Sequence, residues 1–295
     1  MRVFNLGSIN IDHIFRLGHF PAPGETLTAQ DYLCCLGGKG ANQSLALALG
    51  GAQVLHIGRM AAPDEHFISP LQRAGVCLDQ VATDAKASGS AVVLVDQESG
   101  ENQIIINPGA NQQISSAQID MALAQASAGD WALAQNETNN VSQFLQQAKS
   151  RGMNVCYSAA PFVAETALAL LPHTDLLIVN QIEAAALASA LDCPLDKIPV
   201  PHLVITLGAD GARYIGEDGD WSLPSPKVEA VDTTGAGDTF LGFMLASLTN
   251  GVSMRTAMHQ ALAAAALQVT RKGTADAIPS LDEVKQFMAA QPSIS

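Results

Sequence analysis

Short apolar runs alternate with segments of helical periodicity over most of the chain from residue 53 onward. The helical segments fall near residues 63–74, 115–126, 138–150 and 181–190. This alternation predicts parallel strands joined by crossover helices, in a three-layer α/β/α body with a mainly parallel sheet. The predicted strands cover residues 3–9, 54–58, 131–135, 155–158, 176–180 and 203–207.

Two other parts of the chain have strand character with no helical segment between the strands. Residues 14–17 and 25–36 flank a Pro- and Gly-containing turn, and residues 90–95 and 102–106 flank a turn at 97–100. Such closely spaced strands predict hairpins. We therefore expect one domain, residues 1–295, with a β-lid formed by insertions at about 12–36 and 88–107, and a mostly helical last part, 236–290.

The stretch 230–240 runs from an apolar strand end through small residues into a helix. It places Gly235, Ala236 and Gly237 at a helix N-terminus, where free N–H groups and the macrodipole favour an anion. Asp238 in the first turn would repel a static phosphate, so we interpret it as the general base for a hydroxyl that attacks that phosphate. The structural alternative is an acidic residue that only complements the helix dipole.

A second glycine-rich segment, residues 37–42, precedes a helix that stops at Gly50. It lacks P-loop spacing, but its glycines permit close backbone approach, and Lys39 and Asn42 supply a charge and an amide. A surface loop with an exposed lysine is the structural alternative.

Polar side chains also follow several predicted strands, at the sheet edge where α/β proteins bind ligands. Turns and helix caps are the structural alternatives, and Asn180 with Glu183 is typical of a capping box. The residues in question are Asn10, Asp12, Glu137, Asn180, Glu183, Thr206 and Gly208.

Composition narrows the functional classes. The chain of 295 residues is 48% hydrophobic and only 15% charged, which is typical of a globular protein. A net charge of −13 argues against nucleic acid or anionic membrane as partners. Five cysteines without metal-like spacing, and no apolar run long enough for a signal peptide or membrane span, favour a soluble cytoplasmic protein.

The motifs together resemble the ribokinase-like carbohydrate kinases, the phosphofructokinase B family, and within it most closely the ribose-phosphorylating enzymes. Two segments are specific in combination and order: Gly-Gly-Lys-Gly-Ala-Asn at 37–42 and Asp-Thr-Thr-Gly-Ala-Gly-Asp at 232–238. The resemblance extends over nearly the whole chain and includes residues 7–10 with Asp12, 23–26, 108–111, Asn180 with Glu183, 205–208 and 269–273.

The resemblance implies a role for each candidate residue. Asp238 matches the catalytic base, and Gly235, Ala236 and Gly237 match the anion hole for the transferring phosphate. Asn180, Thr206 and Gly208 match the nucleotide side, Glu183 matches a magnesium ligand acting through water, and Asp232 and Thr234 match a monovalent-cation site. Sugar-contacting positions are matched by Asn10, Asp12, Gly38, Lys39, Asn42, Glu137 and Asp238.

The implied activity is transfer of the ATP γ-phosphate to a primary hydroxyl of a small sugar, ribose giving ribose 5-phosphate, with Mg²⁺ and K⁺ as cofactors. Leu262 and Ala277 stand where the family often has a polar residue and a serine, in the adenine and cation regions respectively. Another pentose, a ketohexose or a nucleoside are alternative acceptors, and a non-catalytic sugar-binding regulator is an alternative class. A dehydrogenase is disfavoured because the first strand lacks the G-x-G-x-x-G turn. The expected partners are sugar and ATP, with a homodimer formed through the β-lid.

Overall fold

The computed structural model describes residues 1–99 and 101–290. Its strands in chain order are β1 (Arg2–Leu6), β2 (Asn10–Leu17), β3 (Asp31–Gly37), β4 (Gln53–Arg59), β5 (Cys77–Ala82), β6 (Gly89–Asp96), β7 (Asn102–Asn107), β8 (Trp131–Gln135), β9 (Asn154–Ser158), β10 (Leu176–Asn180), β11 (His202–Thr206), β12 (Ala212–Gly216) and β13 (Gly219–Leu223). Its α-helices are α1 (Lys39–Leu49), α2 (Ser69–Arg73), α3 (Ser116–Leu123), α4 (Val141–Ser150), α5 (Ala164–Leu170), α6 (Gln181–Leu191), α7 (Ala236–Thr249), α8 (Met254–Gln268) and α9 (Leu281–Ala290). Short 3-10 helices cover Ala62–Ile68, Gly109–Gln112, Leu171–His173, Leu195–Lys197, Gly208–Asp210 and Ala275–Ala277.

The large sheet has the order β13-β12-β11-β10-β9-β8-β1-β4-β5. All neighbours from β11 to β5 pair in parallel, and only β12 and β13 at one edge are antiparallel. The predicted mainly parallel sheet is therefore confirmed. The carboxyl ends of its parallel strands meet at one edge, where the candidate residues were expected.

Side chains on the central strands alternate between two hydrophobic cores, one on each face of the sheet. On β10, Leu176 and Ile178 face one core, whereas Leu177 and Val179 face the other. Helices α1, α7 and α8 cover the first core, and α3 to α6 cover the second. This two-residue period is the expected pattern of a strand buried on both faces, and it confirms the predicted three layers.

A separate small sheet has the order β3-β2-β6-β7. Its β2–β3 and β6–β7 pairs are antiparallel, and β2 pairs with β6 in parallel. The hairpin predicted at residues 90–106 is present as β6 and β7. The strand predicted over 25–36 is shorter, because β3 begins at Asp31.

Two predicted elements differ from the structure. Strand β1 ends at Leu6, since Ser8 uses its carbonyl to accept the N–H of Ala41 and its hydroxyl to accept the N–H of Gly40. The helix predicted at 63–74 is a 3-10 helix followed by the short α2. Proline occupies an early position in each piece, which favours two helix starts over one continuous helix.

Helices α1 and α7 pack closely against each other. A Cβ atom placed on Gly242 would lie 2.4 Å from the Cβ of Ala46, so only glycine permits this approach. Each helix follows a glycine with positive φ, Gly38 at 90° and Gly235 at 78°. The two N-termini therefore lie near the same edge of the sheet.

Within residues 1–99 and 101–290, no helix has the length and apolar content that crossing a membrane requires.

Candidate active site

The N-terminus of α7 has the features of an anion site. It starts at Ala236 after Gly235, and within the described residues no side chain caps it. The first N–H groups of an α-helix have no partner inside the helix, and the dipole adds partial positive charge there. Gly237 leaves open space where a Cβ would stand, so an anion can approach the backbone. The predicted position of Gly235, Ala236 and Gly237 is therefore observed.

Asp238 lies in the first turn of α7 and is only 8% exposed. Its Oδ1 accepts a hydrogen bond of 2.8 Å from Gln43 Nε2, and its Oδ2 accepts one of 3.3 Å from Asn42 Nδ2. Burial raises the pKa of this carboxyl, while the nearby Lys39 opposes that effect. A buried carboxyl of raised pKa beside an open helix N-terminus suits a general base.

The N-terminus of α1 is closed by the protein itself. Glu137 Oε2 accepts the backbone N–H of Lys39 at 3.0 Å and the hydroxyl of Ser8, which in turn accepts the N–H of Gly40 at 3.1 Å. The charge of Asp238 raises the pKa of the Lys39 ammonium. Glu137 thus supports the segment 38–40, and Lys39 remains a cation beside Asp238.

Asp12, on β2, lies next to Gly37 and near Glu137. A Cβ on Gly37 would be only 2.0 Å from Asp12 Oδ2, so glycine makes room for this carboxylate. Burial, with the charge of Glu137, raises the pKa of Asp12 to about 6. The buried Oδ1 of Asp12 and Oδ1 of Asn42 have no hydrogen-bond partner among the described residues. Buried acceptors without partners require donors, such as hydroxyl groups of a ligand.

Asn10 is held by another asparagine. Its Oδ1 accepts a 2.7 Å hydrogen bond from Asn111 Nδ2, and Asn111 Oδ1 accepts the N–H of Ile9 at 2.9 Å. A Cβ on Gly89 would be 2.1 Å from Asn111 Nδ2, so glycine at the start of β6 permits the contact. The hydrogen bond joins the starts of β2 and β6 to the segment after β7. Gly38 lies beside Asn10, where a Cβ would be 3.0 Å from the Asn10 nitrogen.

Two cavities meet at the start of α7. The smaller, of about 190 Å³, is lined by Lys39, Asn180, Glu183, Gly235, Ala236, Gly237 and Asp238, among others. The larger, of about 500 Å³, is mainly apolar and is lined by residues such as Gly208, Phe240, Leu262, Ala266 and Val269. Thr206, Thr233, Ala236 and Gly237 line both, so the two cavities form one continuous cleft.

Asn180 and Glu183 form the capping box that is the structural alternative for this pair. Asn180 Oδ1 accepts the N–H of Glu183 at 2.9 Å, and Glu183 Oε2 accepts the N–H of Asn180 at 2.8 Å. Both residues nevertheless line the smaller cavity. One carboxylate oxygen of Glu183 caps α6, and the other is outside the capping box.

Asp232 and Thr234 lie in the turn that precedes α7. Asp232 accepts the N–H of Thr234 at 3.0 Å through Oδ1 and the N–H of Gly273 at 3.1 Å through Oδ2. The Thr234 carbonyl accepts a 3.0 Å hydrogen bond from Gln268 Nε2. Protein donors therefore hold the loop that leads into the α7 N-terminus.

Three residues that hydrogen-bond to candidate site residues are not indicated by their own local sequence: Gln43, Asn111 and Gln268. Asn111 ends a motif that carries the family resemblance, but its partner Asn10 lies 101 positions away. Gln43 follows directly on the segment 37–42, and its partner Asp238 lies 195 positions away. A polar residue at an otherwise apolar helical position was the only signal available for Gln43 and Gln268.

The arrangement matches the needs of phosphoryl transfer to an alcohol. Fixed backbone amides and Lys39 can stabilise negative charge on a transferring phosphate, and Asp238 can take the proton of an attacking hydroxyl. Such chemistry depends mainly on positioning and charge stabilisation. Asn42 hydrogen-bonds Asp238, and neither Asn42 nor Asp12 lines the large apolar cavity, so their buried oxygens are available to an alcohol-rich molecule rather than to an apolar one.

The fold and this cleft define a carbohydrate kinase, and the chain belongs to the pfkB family of carbohydrate kinases, whose model matches residues 2–281. It is a phosphotransferase of the ribokinase type, so the predicted family, fold class and enzyme class are confirmed.

Individual relatives match along nearly their full length. The ribokinase of Haemophilus influenzae is 32% identical over 297 residues, covering 96% of this chain and 97% of its own. The deoxyribokinase of Salmonella typhi is 29% identical, covering 98% and 99%. The structure of Arabidopsis thaliana ribokinase complexed with ribose and ATP superposes with a TM-score of 0.85 at 26% identity, covering 98% of this chain and 99% of that one.

Proposed function

We propose that this kinase transfers the γ-phosphate of ATP to the primary hydroxyl of ribose, giving ribose 5-phosphate in the cytoplasm. The observation that carries the proposal is the place of Asp238. It lies in the first turn of a helix that no side chain of the described residues caps, and it accepts a hydrogen bond from Asn42. The buried Oδ1 atoms of Asn42 and Asp12 have no partner within the described part of the chain. Ribokinases among the relatives support ribose as the acceptor.

In this proposal the protein side chains have separate tasks. Asp12 and Asn42 accept hydrogen bonds from sugar hydroxyls and orient the acceptor. Asp238 takes the proton of the attacking hydroxyl, and the amides from Gly235 to Gly237, with Lys39, stabilise the charge on the transferring phosphate. Lys39, which the resemblance matches to a sugar contact, lines the same cavity as the α7 N-terminus and Asp238, so in this proposal its ammonium also reaches the phosphate.

The nucleotide would occupy the larger cavity. Its walls are mostly apolar and suit a planar base, with Thr206 and Gly208 on one side and Leu262 on the other. Asn180 stands where this cavity continues toward the phosphates. The base, the phosphates and the sugar would then lie in this order along the cleft.

Magnesium fits the phosphate end of the cleft. Glu183 carries a carboxylate into the cavity that Lys39 and Asp238 also line, and hydrated Mg²⁺ prefers oxygen ligands. We propose that Glu183 holds Mg²⁺ through water. The ion would neutralise charge on the nucleotide phosphates.

A potassium ion beside Asp232 and Thr234 belongs to the same proposal. Because protein N–H groups already use the Asp232 carboxylate and the Thr234 carbonyl, the ion would rely on their remaining lone pairs. The buried Oε1 of Gln268, which has no partner in the described residues, is a further oxygen ligand of suitable chemistry. The ion would stabilise the turn that carries the anion-binding amides.

We further propose that the small sheet is a lid over the sugar and the contact surface of a homodimer, on a single kinase domain. The outer part of the sheet exposes apolar side chains, with Ile105 67% exposed on strand β7 at the sheet edge. Exposed edge strands and apolar patches are typical of surfaces that another chain covers. Further exposed apolar residues of the small sheet are Ile104 and Ile106, on the opposite face of β7, and Tyr32 and Leu33, on β3 at the other edge.

A coupled assay of ADP production with Mg²⁺-ATP tests the acceptor. We expect the highest kcat/KM with ribose in a panel of ribose, 2-deoxyribose, other pentoses, ketohexoses and nucleosides. A higher kcat/KM for another member would replace ribose by that acceptor. Sugar binding without any ADP production would instead support a non-catalytic regulator.

A further inference from the structure

A chain of buried polar side chains runs from Asp238 between α1 and the central strands, and its first member, Gln43, also lines the smaller cavity. This face of the sheet is otherwise packed with apolar residues. Each member is 1% exposed or less: Gln43, Gln135, Asn5, Ser44 and His56. Burying so many polar groups is unfavourable unless each is hydrogen-bonded, and apolar side chains could fill the same space.

The carboxylate fixes the direction of every hydrogen bond in the first half of the chain. An ionised carboxylate only accepts, so Gln43 must direct Nε2 to Asp238 Oδ1, at 2.8 Å. Its Oε1 then accepts from Gln135 Nε2 at 2.7 Å, and the same Nε2 donates to Asn5 Oδ1 at 2.9 Å. Gln43 therefore has one amide orientation.

The second half of the chain ends at the backbone. Asn5 Nδ2 donates to Ser44 Oγ at 2.8 Å and to the Gly40 carbonyl at 2.9 Å. His56 Nε2 lies 3.2 Å from the Gly7 carbonyl, which can only accept, so His56 Nδ1 accepts the hydroxyl proton of Ser44 at 2.8 Å. Burial lowers the pKa of His56 to about 4, which agrees with a neutral ring.

The two oxygens of Asp238 consequently differ. Oδ1 has the short hydrogen bond from the held Gln43 amide, whereas Oδ2 has the longer one, 3.3 Å, from Asn42. Asn42 also carries a buried Oδ1 without a partner in the described residues. Oδ2 is thus the oxygen whose protein hydrogen bond is longer and more easily exchanged for one from a substrate hydroxyl.

We propose that Gln43 is a positioning residue for the transfer step: it holds Asp238 by Oδ1 and leaves Oδ2 to take the proton. This inference rests on the proposed role of Asp238 as base. In the step, the acceptor oxygen forms a bond to the γ-phosphorus and its proton moves to Oδ2. The bond from that phosphorus to the leaving ADP oxygen breaks.

The groups around Asp238 predict how its titration responds to loss of Gln43. Burial and the charge of Glu137 raise the pKa of Asp238, while the charge of Lys39 and the hydrogen bonds from Gln43 and Asn42 lower it. Removing the Gln43 amide removes one of the lowering effects. The acid limb of the kcat profile should therefore move to higher pH.

The test is Gln43→Met, which keeps length and removes both amide hydrogen bonds. We expect kcat to fall about 10- to 100-fold because the base is misoriented, with the sugar KM changed less than about threefold. The acid limb of kcat should shift upward in pH. Gln118→Met is the matched control: Gln118 is a buried glutamine whose Nε2 donates to the Gly58 and Gln80 carbonyls, and it is outside the cleft.

The outcomes separate this inference from the proposed function. If Gln43→Met and Gln118→Met have the same kcat and pH profile, Gln43 is only structural and the inference is wrong. Should Gln43→Met not fold, Gln135→Met takes its place, and a kcat equal to that of the wild type would overturn the inference. An active Asp238→Asn would refute the base itself, whereas an inactive Asp238→Asn with an unaffected Gln43→Met would refute only the positioning role.

Discussion

The N-termini of α1 and α7 lie at the same cleft, but within residues 1–99 and 101–290 side chains cap only the N-terminus of α1. Both follow a glycine with positive φ, Gly38 and Gly235. At α1 the carboxylate of Glu137 and the hydroxyl of Ser8 accept the first N–H groups. At α7 no side chain of the described residues acts as a cap.

The difference shows that a glycine before a helix does not by itself define an anion site. The N-terminus of α1 already holds a carboxylate of the protein, so it is a rigid support for Lys39 and Asn42. The N-terminus of α7 retains its positive partial charge for a ligand. In the proposed function, the helix end without a side-chain cap among the described residues is the one that meets the phosphate.

Replacing the carboxylate at the open end should have the largest effect. We expect Asp238→Asn to lower kcat at least about 100-fold, because the amide cannot take the hydroxyl proton. The fold and the sugar affinity should remain, as shown by circular dichroism and by sugar titration in calorimetry. Near-normal turnover would remove Asp238 as the base.

Distorting the open helix end should have the next largest effect. In Gly235→Ala, a side chain must adopt φ near 78°, with its Cβ only 3.1 Å from Gln268 Nε2. We expect kcat to fall about 10-fold or more, since misplacing a preorganised donor weakens charge stabilisation. Steady-state kinetics with ribose and ATP measures this.

Gly75→Ala controls for backbone strain. Gly75 has φ of 83° and open space around a Cβ. It lies in the turn between α2 and β5, outside the cleft. It should lower the free energy of unfolding by about 1 kcal/mol and leave kcat unchanged. An equal loss of kcat in both variants would contradict a specific role of the α7 N-terminus.

Asp12, which lies beside Gly37 just before the α1 N-terminus, predicts a pH effect on sugar binding. Because Asp12 has a pKa of about 6, its carboxylate becomes protonated as the pH falls through that value and accepts hydrogen bonds less well. The sugar KM should therefore rise as the pH falls below about 6, by up to about 10-fold for each pH unit, with the ATP KM much less affected. A flat sugar KM between pH 5 and about 7 would exclude Asp12 as a hydrogen-bond acceptor for the sugar.

The smallest effect is expected for Glu137→Gln. Removing this charge removes one cause of the raised pKa of Asp12, so the rise in sugar KM should begin at lower pH than in the wild type. The N-terminus of α1 should lose about 0.3–1 kcal/mol of stabilisation, measured by denaturant unfolding. An unchanged pH profile would show that burial alone sets the titration of Asp12.

The sequence alone predicts the three layers of the fold and the two helices, α1 and α7, that begin after a glycine. The runs at 131–135 and 176–180 are strands with the predicted bounds, because fully buried strands are continuous and apolar. Strands β5, β12 and β13 were not predicted, since their sequences mix charged and apolar residues at the sheet edges. Short edge strands depend on pairing, which local periodicity does not report.

Within the site, the residue types were predictable but the connections between them were not. Glu137 was predicted to contact the sugar, a role that stays a prediction; its observed bond to the Lys39 amide spans 98 positions of the chain. The orientation of Gln43 depends on the side chains of Gln135 and Asn5, which the fold brings together. No property of neighbouring residues reports such a contact.

The glycine at position 242 links the two helix ends mechanically. Because its missing side chain lets α7 rest directly on Ala46 of α1, Lys39 and the N-terminus of α7 are spaced by a close helix contact rather than by flexible side chains. Even one added methyl group at this crossing would wedge the helices apart. Turnover should therefore respond to a residue that never meets either substrate.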